Sequence, residues 1–145
     1  MMLFMRQKHE PIQQVEELIR RDQLIREAVE RARRIWRLHL LHGIMMPNGE
    51  RVLVSEQDLH HVLLHERILR KPERIERLIR SVFELRSTGT ERRRVGLSTW
   101  TEEDRAIFGY VILDPDNHLR TAIIADARKL RKLARQGSQL WRRSE

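Results

Sequence analysis

Three imidazoles fall within six residues, at His60, His61 and His65 of the run Leu59-His60-His61-Val62-Leu63-Leu64-His65-Glu66-Arg67. A second polar run, Asn117-His118-Leu119-Arg120-Thr121, lies near the other end of the chain. Histidine has an unperturbed pKa of about 6.5, so it can take or give a proton at neutral pH, and each positioned transfer is worth roughly 10²–10⁴ in rate. A guanidinium neutralises charge that builds up on a phosphate, and a hydroxyl donates to a non-bridging oxygen. Base, acid, cation and donor together make a phosphoryl transfer carried by side chains. No metal or cofactor is expected. The chain has no Cys, and the His61–His65 pair lacks the Glu that a zinc protease motif needs directly after its first His, Val62 standing there instead.

The elements that must position these residues change character along the chain. Apolar residues from Ile12 to Trp36 recur every three or four positions, which predicts one long amphipathic helix over 11–41, opened by Pro11 and stopped before Gly43. Two short strands follow at 44–46 and 51–54, joined where Asn48-Gly49 supplies positive φ. Ser55 with Asp58 opens the histidine helix, Lys71-Pro72 ends it, and a third helix runs from Pro72 to about 85. After a loop at 87–90 the period falls toward two, giving strands at 94–100, 106–113 and 119–125 with a turn at Asp114-Pro115-Asp116-Asn117. A basic helix begins at Ala127, and 137–145 reads as a basic tail. The expected class is α+β: helices packed on an antiparallel sheet of about four strands, with a C-terminal basic helix. The units are the N-terminal helix (1–42), an α+β domain (43–136) and the tail (137–145).

The net charge of +8 is concentrated, with +6 over 67–94 and +5 over 126–145. Only four of the 29 cations are Lys, and guanidinium binds phosphate bidentately and stacks on bases. Met1 to Met5 is too short an apolar run for a signal peptide or a membrane span. With no Cys, a cytoplasmic protein without membrane contact is expected.

A His-bearing helix, a second helix opened by Pro, and an antiparallel sheet whose last strand carries Arg-Thr resemble the barnase, EndoU, colicin and RelE superfamily of nucleases, particularly its phage- and toxin-associated branches. The resemblance covers about residues 50–125. It implies a metal-independent endoribonuclease, RNA as substrate and, for a toxin, a neutralising protein partner. It places the helix histidine at His61 or His65, with His60 the third choice, the strand's polar residue at Thr121, and the phosphate-binding cation at Arg120 or at a second-helix arginine such as Arg80. By its place on the preceding strand, Tyr110 is expected to be either a core residue, the simpler reading, or a ring that helps hold a base.

In a regular strand Arg120 and Thr121 point to opposite faces, so only one, Thr121, is expected to matter strongly for catalysis. Arg128, Arg131, Arg142 and Arg143 are expected to contact RNA phosphates, leaving the tail outside the core. The competing readings are a nucleic-acid or nucleic-acid-enzyme binding protein without catalysis, and an interaction module, including a homodimer, built on the apolar stripe of the N-terminal helix.

Overall fold

A computed structural model of the chain describes the backbone of residues 2–89 and 92–144, and the side chains of 12–65, 67–89 and 92–144. The elements are α1 (Met2–Ile35), β1 (Ile44–Met45), β2 (Arg51–Val52), α2 (Glu56–Val62), α3 (Glu66–Arg70), α4 (Arg74–Arg80), β3 (Val82–Ser87), β4 (Arg94–Glu102), β5 (Arg105–Leu113), β6 (Leu119–Ala125), α5 (Ala127–Leu133) and β7 (Gln139–Arg142). The fold is α+β. Among the described residues the main sheet has five antiparallel strands in the order β6-β5-β4-β3-β7, and β1 pairs with β2 in a separate hairpin.

Alternation along the strands builds two cores, one on each face of this sheet. Val111 and Leu113 of β5 turn toward α2 and α4, where they join Leu59, Ile75, Leu78 and Leu119. Their neighbours Phe108, Tyr110 and Ile112 turn to the reverse face and pack with Val95, Leu97 and Leu130 of α5. Gly109 lets α4 lie close: a Cβ there would stand 2.5 Å from Leu78 Cδ2 and 2.6 Å from the Ile123 carbonyl oxygen.

The long helix starts earlier than expected and stops, as expected, before Gly43. It begins at Met2 and runs through Pro11, which therefore does not open it, at the cost of one backbone hydrogen bond. Its last turn widens into a π-helical turn over Trp36–Leu40, where Leu40 is buried and Trp36 Nε1 donates to the Val54 carbonyl at 2.6 Å. Gly43, at φ +80°, ends the run. Ile12, Val15, Leu18, Ile19 and Ile25 are exposed, and contact with the body begins near Ala32. The spacing identified the apolar face, but spacing carries no information about what covers it.

The histidine helix is two helices. Val62 ends α2, and His65, extended at φ −87° and ψ 117°, caps α3, so His61 and His65 do not share one helical face. The third helix ends at Arg80 rather than near 85. Val82 and Leu85 are buried from a strand that pairs with β4 on one side and β7 on the other, and two partners satisfy the backbone that a helix would otherwise have satisfied alone. The loop expected at 87–90 reaches residue 90, which lies outside the described residues.

The tail is also a correction. Gln139–Arg142 forms the fifth strand, on β3, and Trp141 packs against the helix-side core. Gly137 makes the approach possible, since at its φ of +62° a Cβ would lie only 1.8 Å from the Ser87 carbonyl oxygen. Deleting 136–145 should therefore lower Tm by about 5 °C or more, on the order of 2 kcal/mol of lost apolar burial for a chain of this size. An unchanged melting curve would return this segment to the status of a tail.

Candidate active site

Strand β6 is an edge strand, and its start is irregular. Leu119 pairs with Leu113 and Thr121 with Ile112, so Arg120 is an extra residue on β6. Such a bulge breaks the alternation that separates neighbours to opposite faces, and bulges of this kind gather beside active sites, where they re-aim a side chain. Thr121 is buried and shares a 2.9 Å hydrogen bond with His65 Nε2, across 56 residues of sequence. Arg120 stays exposed and lines an open cleft of about 470 Å³ with Gln57, Asp58, His60, His61 and Asp114.

The local sequence explains how α2 presents its imidazoles. Ser55 Oγ accepts from the Asp58 N–H at 3.0 Å, and Asp58 Oδ2 accepts from the Ser55 N–H at 2.8 Å, a reciprocal cap that fixes the first turn. Leu59 and Val62 bury the inner face of the helix, which leaves His60 and His61 exposed on its outer side.

The same Asp58 oxygen lies 2.7 Å from His118 Nδ1. Reading the sequence alone did not single out His118 as catalytic, because a histidine beside Asp116 in a turn looks like a turn residue. Two backbone hydrogen bonds hold it beside α2: the Leu53 N–H donates to the Asn117 carbonyl at 3.0 Å, and the Leu119 N–H donates to the Leu53 carbonyl at 2.9 Å. The Asp58 hydrogen bond raises the pKa of His118 above its usual 6.5. Partial burial opposes the shift, and the charges of Asp58, Asp116 and Asp114 add to it.

An ionic frame holds the turn before β6. Arg94 donates to both oxygens of Glu50, at 3.0 and 2.8 Å, and to Asn117 Oδ1, and the Arg94 hydrogen bond is the largest cause that holds the Glu50 carboxyl below its usual range. Asp114 accepts from Arg93 Nε at 3.1 Å and stands 3.7 Å from Arg120 Nη1, which aims the Arg120 guanidinium from behind.

Of the residues singled out in the sequence, His60, His61 and Arg120 share the cleft, and His65 and Thr121 bond to each other. Others lie apart. Arg80 is ion-paired with Glu76 on α4 at 2.8 Å. Tyr110 faces the reverse side of the sheet, because its neighbour Val111 occupies the helix side, and burial there pushes its phenol pKa up. Arg128 and Arg131 lie on α5, and Arg142 and Arg143 lie at the end of the chain, in and just beyond β7.

No three His, Asp or Glu side chains among the described residues converge to hold a metal ion. No helix among the described residues is long and apolar enough to cross a membrane. No family model, curated protein or solved structure matches the chain.

Proposed function

We propose that the protein is a metal-independent endoribonuclease of the kind that the barnase–EndoU–colicin–RelE resemblance implies, cutting RNA by attack of the 2′-hydroxyl on the adjacent phosphate. The observation that carries this reading is the hydrogen bond between His65 and Thr121, set beside a cleft that holds two more imidazoles and an arginine. His61, at the cleft, takes the 2′ proton as O2′ bonds to phosphorus. His118, whose pKa the Asp58 hydrogen bond raises, gives a proton to O5′ as the P–O5′ bond breaks. Arg120 neutralises the phosphorane, and the Thr121 hydroxyl, oriented by His65, donates to a non-bridging oxygen. The products are a 2′,3′-cyclic phosphate and a 5′-hydroxyl.

One observation favours a binding protein without catalysis: the cations of α5 have no ion-pair partners among the described residues, and binding alone would account for them. Incubation of the purified protein with total tRNA and rRNA in EDTA separates the two. Discrete fragments are expected, and His61→Ala and His65→Ala should each slow their appearance by at least about 10² while leaving the fold intact. Full cleavage by both variants would remove the helix histidines from the chemistry, and no cleavage by the wild type would leave the binding reading.

A further inference from the structure

A second concavity lies on the reverse face of the sheet, away from the histidine cleft. Its floor is Leu97 and Thr99 of β4, with Phe83 of β3 and Phe108 of β5 on either side, and α5 and β7 wall it with Arg131 and Arg142. The groove is about 440 Å³ and open. Phe83 sits at the β-bulge between Val82 and Glu84, and Phe108 pairs with Thr99, so the two rings rise from strands on opposite sides of β4. Strands lie ~4.8 Å apart, which puts the rings' strands roughly 10 Å apart, room for flat groups to lie between or upon them. Both phenylalanines are half-buried and apolar, with no polar group of their own to satisfy.

The charge on α5, beside this groove, has no internal partner. Arg128, Lys129, Arg131 and Lys132 of α5 and Arg135 just beyond it line a concavity with the cap residue Asp126, and none of these cations forms an ion pair among the described residues. Asp126 is itself engaged, accepting from the Lys129 backbone N–H at 2.8 Å. On the other side of the molecule Lys71, Arg74, Arg93 and Arg94 each meet a carboxylate. The one acid in the groove, Glu84, is buried and neutralised by Arg86 at 3.3 Å and Arg142 at 4.0 Å, while Arg142 remains 64% exposed. The α5 cations, which lack internal partners, and the largely exposed Arg142 border two apolar rings, and together they complement a polyanion that carries flat apolar groups at intervals.

We propose that this groove is a second nucleic-acid site that takes single-stranded RNA, its bases lying on Phe83 and Phe108 and its phosphates on Arg131, Arg142 and the α5 cations. An acidic protein would use the cations but has no need of two ring faces. A duplex would present phosphates but keep its bases stacked within. The inference rests on RNA being the ligand of the proposed function, and it does not require that the protein cleave. Its role would be to anchor a strand whose scissile phosphate lies in the histidine cleft.

The test uses a fluorescein-labelled 2′-O-methyl oligouridylate of twelve residues, which the proposed chemistry cannot cut, with affinity read by anisotropy across a salt series. Phe83→Leu with Phe108→Leu keeps most of the apolar volume and removes the ring faces. It should weaken binding at least tenfold, with the fold retained and Tm lowered by only a few degrees, since each swap leaves an apolar side chain in this partly buried cluster. Arg131→Gln with Arg142→Gln should make the slope of log K against log salt shallower by about one unit or more, each single-strand phosphate contact contributing about −0.7. Cleavage of a dinucleotide, too short to reach the groove, should be the same in all of these variants. Unchanged affinity and salt slope would overturn the proposal. So would equal affinity for a duplex of the same length, or competition by polyglutamate as effective as by unlabelled oligonucleotide, the latter assigning the surface to an acidic protein. Loss of binding in the Phe variants with no cleavage by the wild type would reject the nuclease and keep the groove, whereas cleavage with Phe-independent binding would do the reverse.

Discussion

His118→Ala should lower kcat for RNA cleavage by about 10²–10⁴, the range for loss of one positioned proton transfer. Asp58 fixes the ring through Nδ1, at 2.7 Å, and leaves Nε2 to serve a ligand. Because the Asp58 contact raises the pKa of His118, the imidazolium persists to higher pH than in a free histidine, as a general acid at neutral pH requires. The rate should fall as pH rises through that elevated value. Asp58→Asn removes the largest cause of the elevation, so the falling limb should move to lower pH, toward or below the ordinary 6.5. Stability follows the same sign: the charged pair contributes fully below about 6.5 and is lost as pH rises through the folded-state value. The Tm gap between wild type and His118→Ala should therefore narrow on the alkaline side. A His118→Ala enzyme with wild-type kcat and an unmoved pH profile would take this residue out of the mechanism.

Arg120→Ala and Thr121→Val should both be severe, each costing about 10² or more in kcat/KM, although adjacent residues of a regular strand would not both serve one site. The bulge at the start of β6 is the reason. Arg120, the extra residue, lines the cleft, while Thr121 is held inside by His65. Thr121→Ser keeps the hydroxyl and should recover most of the activity, which a purely structural role for the γ-methyl would not explain. Arg120→Lys should recover less, since an ammonium lacks the fork that binds two phosphate oxygens at once. Loss confined to one of the two positions would mean that the strand acts as if it were regular.

The residue types of the site are legible in the sequence, and so are most of its elements, because strand alternation over 106–113 and 119–125 and the Ser55–Asp58 cap are local signals. The bulge is not local. Whether Arg120 or its neighbour is the extra residue depends on how β5 pairs with β6, a long-range register that no spacing within β6 encodes. His118 was missed for a similar reason: its partner Asp58 is 60 residues away, and only the Leu53 bridge brings the two together. The apolar stripe Leu59, Val62, Leu63 and Leu69 reads as one helix through 55–71 because it spans the break without marking it, whereas Leu64 is exposed there and His65 turns to meet Thr121. The segment 137–145 reads as a tail because its apolar residues, Leu140 and Trp141, are too few to show a period; its strand exists because the edge of β3 was open to pair with it.

The most direct test of the central claim is to compare one RNA with its fully 2′-O-methylated counterpart, in EDTA, and to identify the ends of any fragments. Cleavage by the 2′-hydroxyl predicts that only the unmodified RNA is cut, leaving 2′,3′-cyclic phosphate and 5′-hydroxyl ends. Cutting of the methylated strand, 5′-phosphate ends, or two intact substrates would contradict it.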